Sequence, residues 1–323
     1  MRRFLVLSAR ILVSCALLYF AFRGINFAEL QVRLTSNSAT WFAGWMTLAV
    51  LTIVVQVFLG AIRWQEISAR CQAPLTIPQA FRYNMIGTFF NQTLPSTIGG
   101  DAVRLWLLGS TGAGWRLATY SVLVDRAIGL IALAVVVVCS LPWSYGMIGD
   151  DKGRLALVLV DLAAMSAGAG FLLIHYLPLP WLKRWWPTRH IYACSEVANR
   201  VVFDAKAGPK IAILSISIHV LTVVSAWCAA QSISAPAHFS QLFVLVPPVA
   251  LITMLPISIA GWGLREATMM IAFGYAGLNQ TDGTIVSLLA GAASFIVGIF
   301  GGGVWILYGN KGAKMPDALP RIE

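Results

Sequence analysis

The sequence predicts an all-α polytopic membrane protein, with about six full transmembrane helices and two re-entrant helical hairpins arranged as an inverted repeat. Three observations lead there. Hydrophobic residues make up 58% of the 323-residue chain and charged ones only 11%, against about a quarter charged in soluble domains; the mean hydropathy is +0.77. Apolar runs recur from end to end, each of about 18 residues or more and so able to cross a hydrocarbon core of roughly 30 Å. Two further apolar regions are interrupted in their middles by proline and glycine.

Full spans are expected at about 4–22, 41–62, 117–141, 154–177, 211–232 and 284–308. The first is read as an uncleaved helix, because residues 4–22 lack a small-x-small cleavage signal. The "LVSC" at 12–15 is not read as a lipoprotein site, since Arg10 interrupts the apolar run before it. The broken regions are 83–110, carrying "NQTLPSTIGGD" (91–101), and 241–276, carrying "MLPISIAGWGLRE" (254–266). Proline removes a backbone donor and glycine loosens a helix, so each region is expected as two half-helices meeting at a turn. In both, a proline stands nine positions before an arginine, Pro95 with Arg104 and Pro256 with Arg265. Residues 1–310 are therefore expected as one integral membrane domain, with one repeat centred on 83–110 and the other on 241–276. A cytoplasmic interfacial loop is expected at 178–210 and a short cytoplasmic tail at 311–323. The loop contains "WLKRWW" (181–186), which reads as an interfacial anchor with Trp at headgroup depth.

Positive charge chooses between re-entrant and crossing hairpins. If both hairpins re-enter and the N-terminus is cytoplasmic, only Arg23, Arg33, Lys152 and Arg154 lie outside. Fifteen basic residues, Arg63 and Arg70 among them, lie inside, and Arg10, Arg104, Arg126 and Arg265 fall within apolar segments. Crossing would carry the basic 178–210 loop outside. The positive-inside rule favours the re-entrant arrangement, with both termini cytoplasmic and eight crossings as the alternative. Two similar hairpins entering from opposite faces are the pattern of inverted-repeat transporters.

Ionisable residues at bilayer depth are costly and mark function or pairing. They are Asp101 and Arg104 on the first hairpin, Asp125 and Arg126 on the third span, Asp161 on the fourth, and Arg265 and Glu266 on the second hairpin. Asp101 and Arg104 share a helical face, after Gly99 and Gly100. A half-helix N-terminus pointing inward, with an arginine fork beside it, suits a phosphate. The second hairpin repeats this with Gly261 and Gly263 before Arg265. Arg104 and Arg265 are thus the candidate phosphate-binding residues, with Asp101, Asp125, Arg126 and Glu266 as charge partners or relay. The alternative is that these charges are permanent structural pairs. Asn91, Pro95, Ser96, Gly99, Gly100, Pro256, Gly261 and Gly263 form the hairpin breaks and the substrate path. Asp161 is expected to make a structural hydrogen bond, His219 to be packed and satisfied, and "GIFGGGVW" (298–305) to permit close helix packing.

Several functions are disfavoured. The five cysteines, Cys15, Cys71, Cys139, Cys194 and Cys228, have no metal-ligand spacing, and no Walker loop, HExxH or GxSxG is present. No cofactor, metal or nucleic acid is expected; in a membrane chain the net charge of +10 reports topology first.

The segments "NQTLPSTIGGDAVRLWLL" (91–108), "VDRAIGL" (124–130) and "PISIAGWGLREA" (256–267) together resemble the lysylphosphatidylglycerol synthase transmembrane family. The resemblance covers essentially the whole chain and aligns Asp101, Arg104, Asp125, Arg126, Arg265 and Glu266 with the family's polar motif residues. In two-part relatives a cytosolic domain attaches an amino acid to the lipid and the membrane region moves the product across. With the sequence ending at Glu323, the resemblance implies the translocation half without the synthase. The resulting expectation is a flippase or lipid-handling transporter for a phosphate-headgroup lipid, anionic in character, in the bacterial inner membrane. The alternatives are a non-catalytic subunit that recruits a lipid- or glycan-synthesising enzyme, and a membrane transferase acting on lipid-linked substrates.

Overall fold

The computed structural model describes residue 19 and residues 38–94, 99–147, 149–177, 186–254 and 261–308. Among these residues every regular element is helical. The expected span 4–22, the tail 311–323, and Pro95, Ser96 and Pro256 lie outside the described residues.

Helix α1 (Ala39–Arg70) starts where the Ser38 hydroxyl accepts the Trp41 amide. It runs eight residues past the expected end at 62, because the stop signal is the Gln72-Ala73-Pro74 stretch rather than the charge at Arg63. The first hairpin is α2 (Ile77–Thr93) and α3 (Gly99–Leu108), with a capping box between Thr76 and Gln79 opening α2. Then come α4 (Trp115–Met147) and α5 (Asp151–Leu173). The 178–210 region is not all loop: it contains α6 (Trp186–Val202), whose buried face carries Cys194, Ser195, Ala198 and Asn199. Next are α7 (Ala207–Ser232), the second hairpin of α8 (Phe239–Thr253) and α9 (Leu264–Tyr275), and finally α10 (Gln280–Tyr308). Of these, α1, α4, α5, α7 and α10 are long and apolar enough to cross a membrane.

Both broken regions form antiparallel hairpins. In the first, a methyl added at Gly100 would lie 2.1 Å from the Gly87 carbonyl oxygen, so the two arms touch backbone to backbone. Asn91 sits at the bend and its Oδ1 accepts the Gly100 amide at 2.8 Å. In the second, Gly261 (φ 80°) and Gly263 (φ 83°) adopt left-handed backbone that only glycine takes freely. The Glu266 carboxylate then accepts the Gly263 amide at 2.7 Å, capping α9.

Helices α1 and α7 pack antiparallel along their lengths: Lys210 pairs with Glu66, Arg63 bonds Ser215, Thr222 bonds Gln56, and Trp41 donates to the Gln231 carbonyl. The first hairpin opens at the Arg70 end of this pair, where Ala73, Leu75, Ala80, Leu108 and Ala118 cluster. The second opens at the Trp41 end, where Ile233, Ala235, Leu242, Phe273 and Leu278 cluster. Each hairpin docks on the long helix that follows the other, α2 on α10 and α8 on α4. Glycines allow the first of these contacts, since a methyl at Gly301 would lie 2.0 Å from the Met85 carbonyl oxygen. The order long helix, hairpin, long helix thus occurs twice, with opposite sense.

Candidate functional site

Between the first hairpin, α1 and α4 the structure holds a file of five charges. Arg63 Nε donates to Asp125 Oδ1 at 2.9 Å, and Arg104 Nη2 donates to Asp125 Oδ2 at 3.0 Å. Arg104 Nη1 reaches Asp101 Oδ1 at 3.2 Å, and Arg126 donates to both Asp101 oxygens at 2.5 and 2.8 Å. The order Arg63–Asp125–Arg104–Asp101–Arg126 alternates sign, so each carboxylate is shared by two arginines. Arg104 also lies over the Trp64 indole, 4.1 Å from the ring centroid, a cation–π contact in a dry setting. Arg63, Asp101, Arg104 and Asp125 are buried, whereas the Arg126 side chain is 37% exposed.

The four residues expected here are therefore brought together. Asp125 and Arg126, adjacent in the chain, turn to different partners. Arg63 was missed. It had been counted in a cytoplasmic loop because it follows the apolar run, yet the helix continues in register to Arg70 and buries it.

The second hairpin presents a smaller arrangement. Arg265 donates to Glu266 Oε1 through Nε (3.1 Å) and Nη2 (2.8 Å), and its Nε also reaches the Ser287 hydroxyl at 3.1 Å. Glu266 is fully buried and the Arg265 side chain is 24% exposed. The places correspond across the halves. Ser287 on α10 meets Arg265 as Asp125 on α4 meets Arg104, and Gly291 faces Arg265 as Gly129 faces Arg63. The acid of the first half is a neutral hydroxyl in the second, so Glu266, next in sequence, does the neutralising.

A cavity of about 220 Å³ opens beside Arg265, between α1, α7, α8 and α10. Its polar lining is Gln56, Thr222, Ser225, Thr253, Ser287 and Ser294, and the buried Ser225 hydroxyl has no hydrogen-bond partner among the described residues. These residues were not foreseen, because isolated hydroxyls in apolar helices usually bond their own backbone. Such a cavity offers a tetrahedral anion the charge of the Arg265 guanidinium and the Ser225 hydroxyl as donor, while Thr222, Thr253, Ser287 and Ser294 donate within the protein.

Other expectations resolve simply. His219 Nε2 sits 2.9 Å from the Gly129 carbonyl oxygen, packed as expected. Asp161 is buried, but the expected structural hydrogen bond is absent among the described residues, with Oδ1 unpartnered.

Outside the spanning segments, burial pushes the thiols of Cys71 and Cys194 up to about 12. The amides of Ala207 and Lys206 hold the Asp204 carboxyl below the usual range.

A family model described as lysylphosphatidylglycerol synthase TM region matches residues 7–302. No curated protein matches the chain, and no solved structure does.

Proposed function

Because the chain belongs to the lysylphosphatidylglycerol synthase TM-region family, we propose that it is a lipid flippase or lipid-handling transporter of the bacterial inner membrane. The headgroup phosphate of the lipid enters the cavity beside Arg265 while its acyl chains stay in the bilayer. The observation that carries this reading is the partly exposed Arg265 guanidinium on a cavity, lined by apolar side chains and several hydroxyls, inside a membrane protein. Even paired with Glu266, an arginine at that depth is costly and marks function or structural pairing.

Arg104 takes a lesser part. Its guanidinium is engaged by Asp101 and Asp125, so it meets phosphate only when the file of charges opens, with the two aspartates holding it otherwise. Glu266 plays the holding role for Arg265. The inverted placing of the hairpins suits alternating access, each hairpin closing one face. Both termini are placed in the cytoplasm on the positive-inside argument.

The test is movement of fluorescent headgroup-labelled phospholipid in liposomes containing the purified protein, bleached from outside. Wild type should lose more than half of the signal. Arg265→Ala should slow the loss by about 10- to 100-fold, the worth of one charge-assisted pair. Equal loss in wild type and variant would keep transport and discard Arg265 as its site.

A second reading rests on α6. Its exposed face carries Arg189, Ile191 and Arg200, a surface on which a lipid- or glycan-synthesising enzyme could dock. Under that reading, charge reversal on α6 abolishes the cellular phenotype while Arg265→Ala leaves it intact.

A further inference from the structure

Helix α5 is the least buried of the five long apolar helices, and it meets the bundle along a stripe of small and apolar residues. Two crevices flank that stripe. One, of about 340 Å³, lies between α5 residues such as Leu157 and Val160 and the second hairpin. The other, of about 290 Å³, lies between Ala164, Gly168 and α4. Asp161 stands between the two. It is only 4% exposed, while Leu159 and Leu162 beside it face outward. Its carboxyl makes no hydrogen bond among the described residues, and Oδ1 is fully enclosed.

No opposite charge is at hand among the described residues. Helix α4 packs antiparallel to α5, with Gly168 against Ile131 and Leu157 clustered with Val137. That puts Asp161 level with the Val137 region, in a stretch (127–144) that contains no acid or base except the outward-facing Cys139. Helix α8 contributes no titratable residue. Asp125 and Arg126 on α4 lie some eleven residues away, about 16 Å along the axis, and are committed to the charge file. The groups of α6 (Arg189, His190, Tyr192, Cys194, Glu196, Arg200) meet α5 near Leu172, a similar distance off. Asp151, Lys152 and Arg154 are at the start of α5, and His175 and Tyr176 just beyond its end. On the second hairpin Tyr275 lines the first crevice, and Arg265, paired with Glu266, lines the other cavity.

We propose that Asp161 is a proton-binding site that couples the docking of α5 on the bundle to proton uptake. An isolated carboxylate in apolar surroundings is far costlier than the neutral acid, so docked α5 carries Asp161 as COOH. When α5 parts from the bundle and water reaches the group, the acid releases its proton to that water and becomes the carboxylate. Only the protonated form favours redocking, so each opening and closing of α5 moves one proton off and on. The protonation is independent of what the protein transports. Its use as a driving force rests on the lipid-transport reading above.

The test uses the full chain in lipid bilayers and reads carboxyl groups by infrared difference spectroscopy between neutral and alkaline pH. Wild type should show a protonated carboxyl band that disappears on alkalinisation and returns. Asp161→Asn should lack it, and Asp161→Glu should restore it. With no partner among the described residues to lose, Asp161→Asn should melt no lower than wild type, which separates this role from a structural one. A wild-type spectrum identical to that of Asp161→Asn overturns the proposal. The same proteins in liposomes then read lipid movement with and without an imposed pH gradient. A several-fold effect of the gradient in wild type that vanishes in Asp161→Asn supports coupling. Movement indifferent to the gradient in wild type overturns it. If wild type moves no lipid yet keeps the band, the transport reading falls and the proton site stands.

Discussion

Removing one member of the buried file of charges leaves its neighbours facing one another without compensation, and the two kinds of member differ in how much that matters. Asp125→Asn strips the acid from between Arg63 and Arg104. Breaking a buried pair costs about 3–5 kcal/mol, so denaturant or thermal unfolding in detergent should show that loss. Arg126→Ala, at the exposed end of the file, should cost about 1 kcal/mol or less. The glycines opposite the arginines give a sharper contrast. A methyl at Gly291 would lie 2.1 Å from Arg265 Nη2, the far end of a flexible side chain that can swing aside. Gly291→Ala should therefore melt within about 1 kcal/mol of wild type while slowing phospholipid movement as much as Arg265→Ala. Gly129→Ala, whose methyl meets the Arg63 nitrogens at 3.3 Å, should leave movement near wild type. At this scale the sequence revealed acids and arginines inside apolar runs, since each such residue demands a partner. It concealed Arg63, which sits where an apolar run stops, and Ser225 and Ser287, whose hydroxyls carry no sign of what they face.

For the helical elements, the close approaches are made by backbone, and backbone cannot swing aside. Gly100→Ala would put a methyl 2.1 Å from the Gly87 oxygen, and Gly301→Ala would put one 2.0 Å from that of Met85. Each should prise apart an element pair at a cost of about 3 kcal/mol or more, read as lost monodisperse protein on size exclusion. Gly298→Ala, facing the flexible Gln92 side chain at 3.3 Å, should be tolerated. The start of α7 has its own pH signature. The folded Asp204 carboxyl lies below its ordinary value of 3.8 because two amides donate to it. Its contribution is thus present above that value and lost as pH falls through the folded one. Asp204→Asn should flatten this acid limb of the stability profile and leave neutral pH little changed. Hairpins were legible because proline and glycine interrupt apolar sequence at matching places. Helix α6 was not, since the Trp, Lys and Arg residues of the 178–210 region satisfy an interfacial pattern whether or not the chain coils.

For the molecule as a whole, the opposite opening of the two hairpins becomes a labelling experiment. Thr111→Cys lies beyond the first hairpin at the Arg70 end and Asn279→Cys beyond the second at the Trp41 end, both exposed. In a background with Cys15, Cys139 and Cys228 replaced, Cys71 and Cys194 stay silent to maleimide near pH 8. Burial holds their thiols at about 12, and the thiolate is the reactive form. The two introduced cysteines should label from opposite faces of sealed vesicles. Labelling from one face would break the inverted arrangement. Charge counting points to this arrangement because Lys and Arg bias survives a few misplaced residues, Arg63 included. What the sequence could not reveal was that the halves differ in firmness. The first half is riveted by five interlocked charges and the second by one arginine, one glutamate and a hole. In mechanical terms the first half is the braced side of the frame and the second the yielding one, so strain in the bundle should be relieved first at the second hairpin.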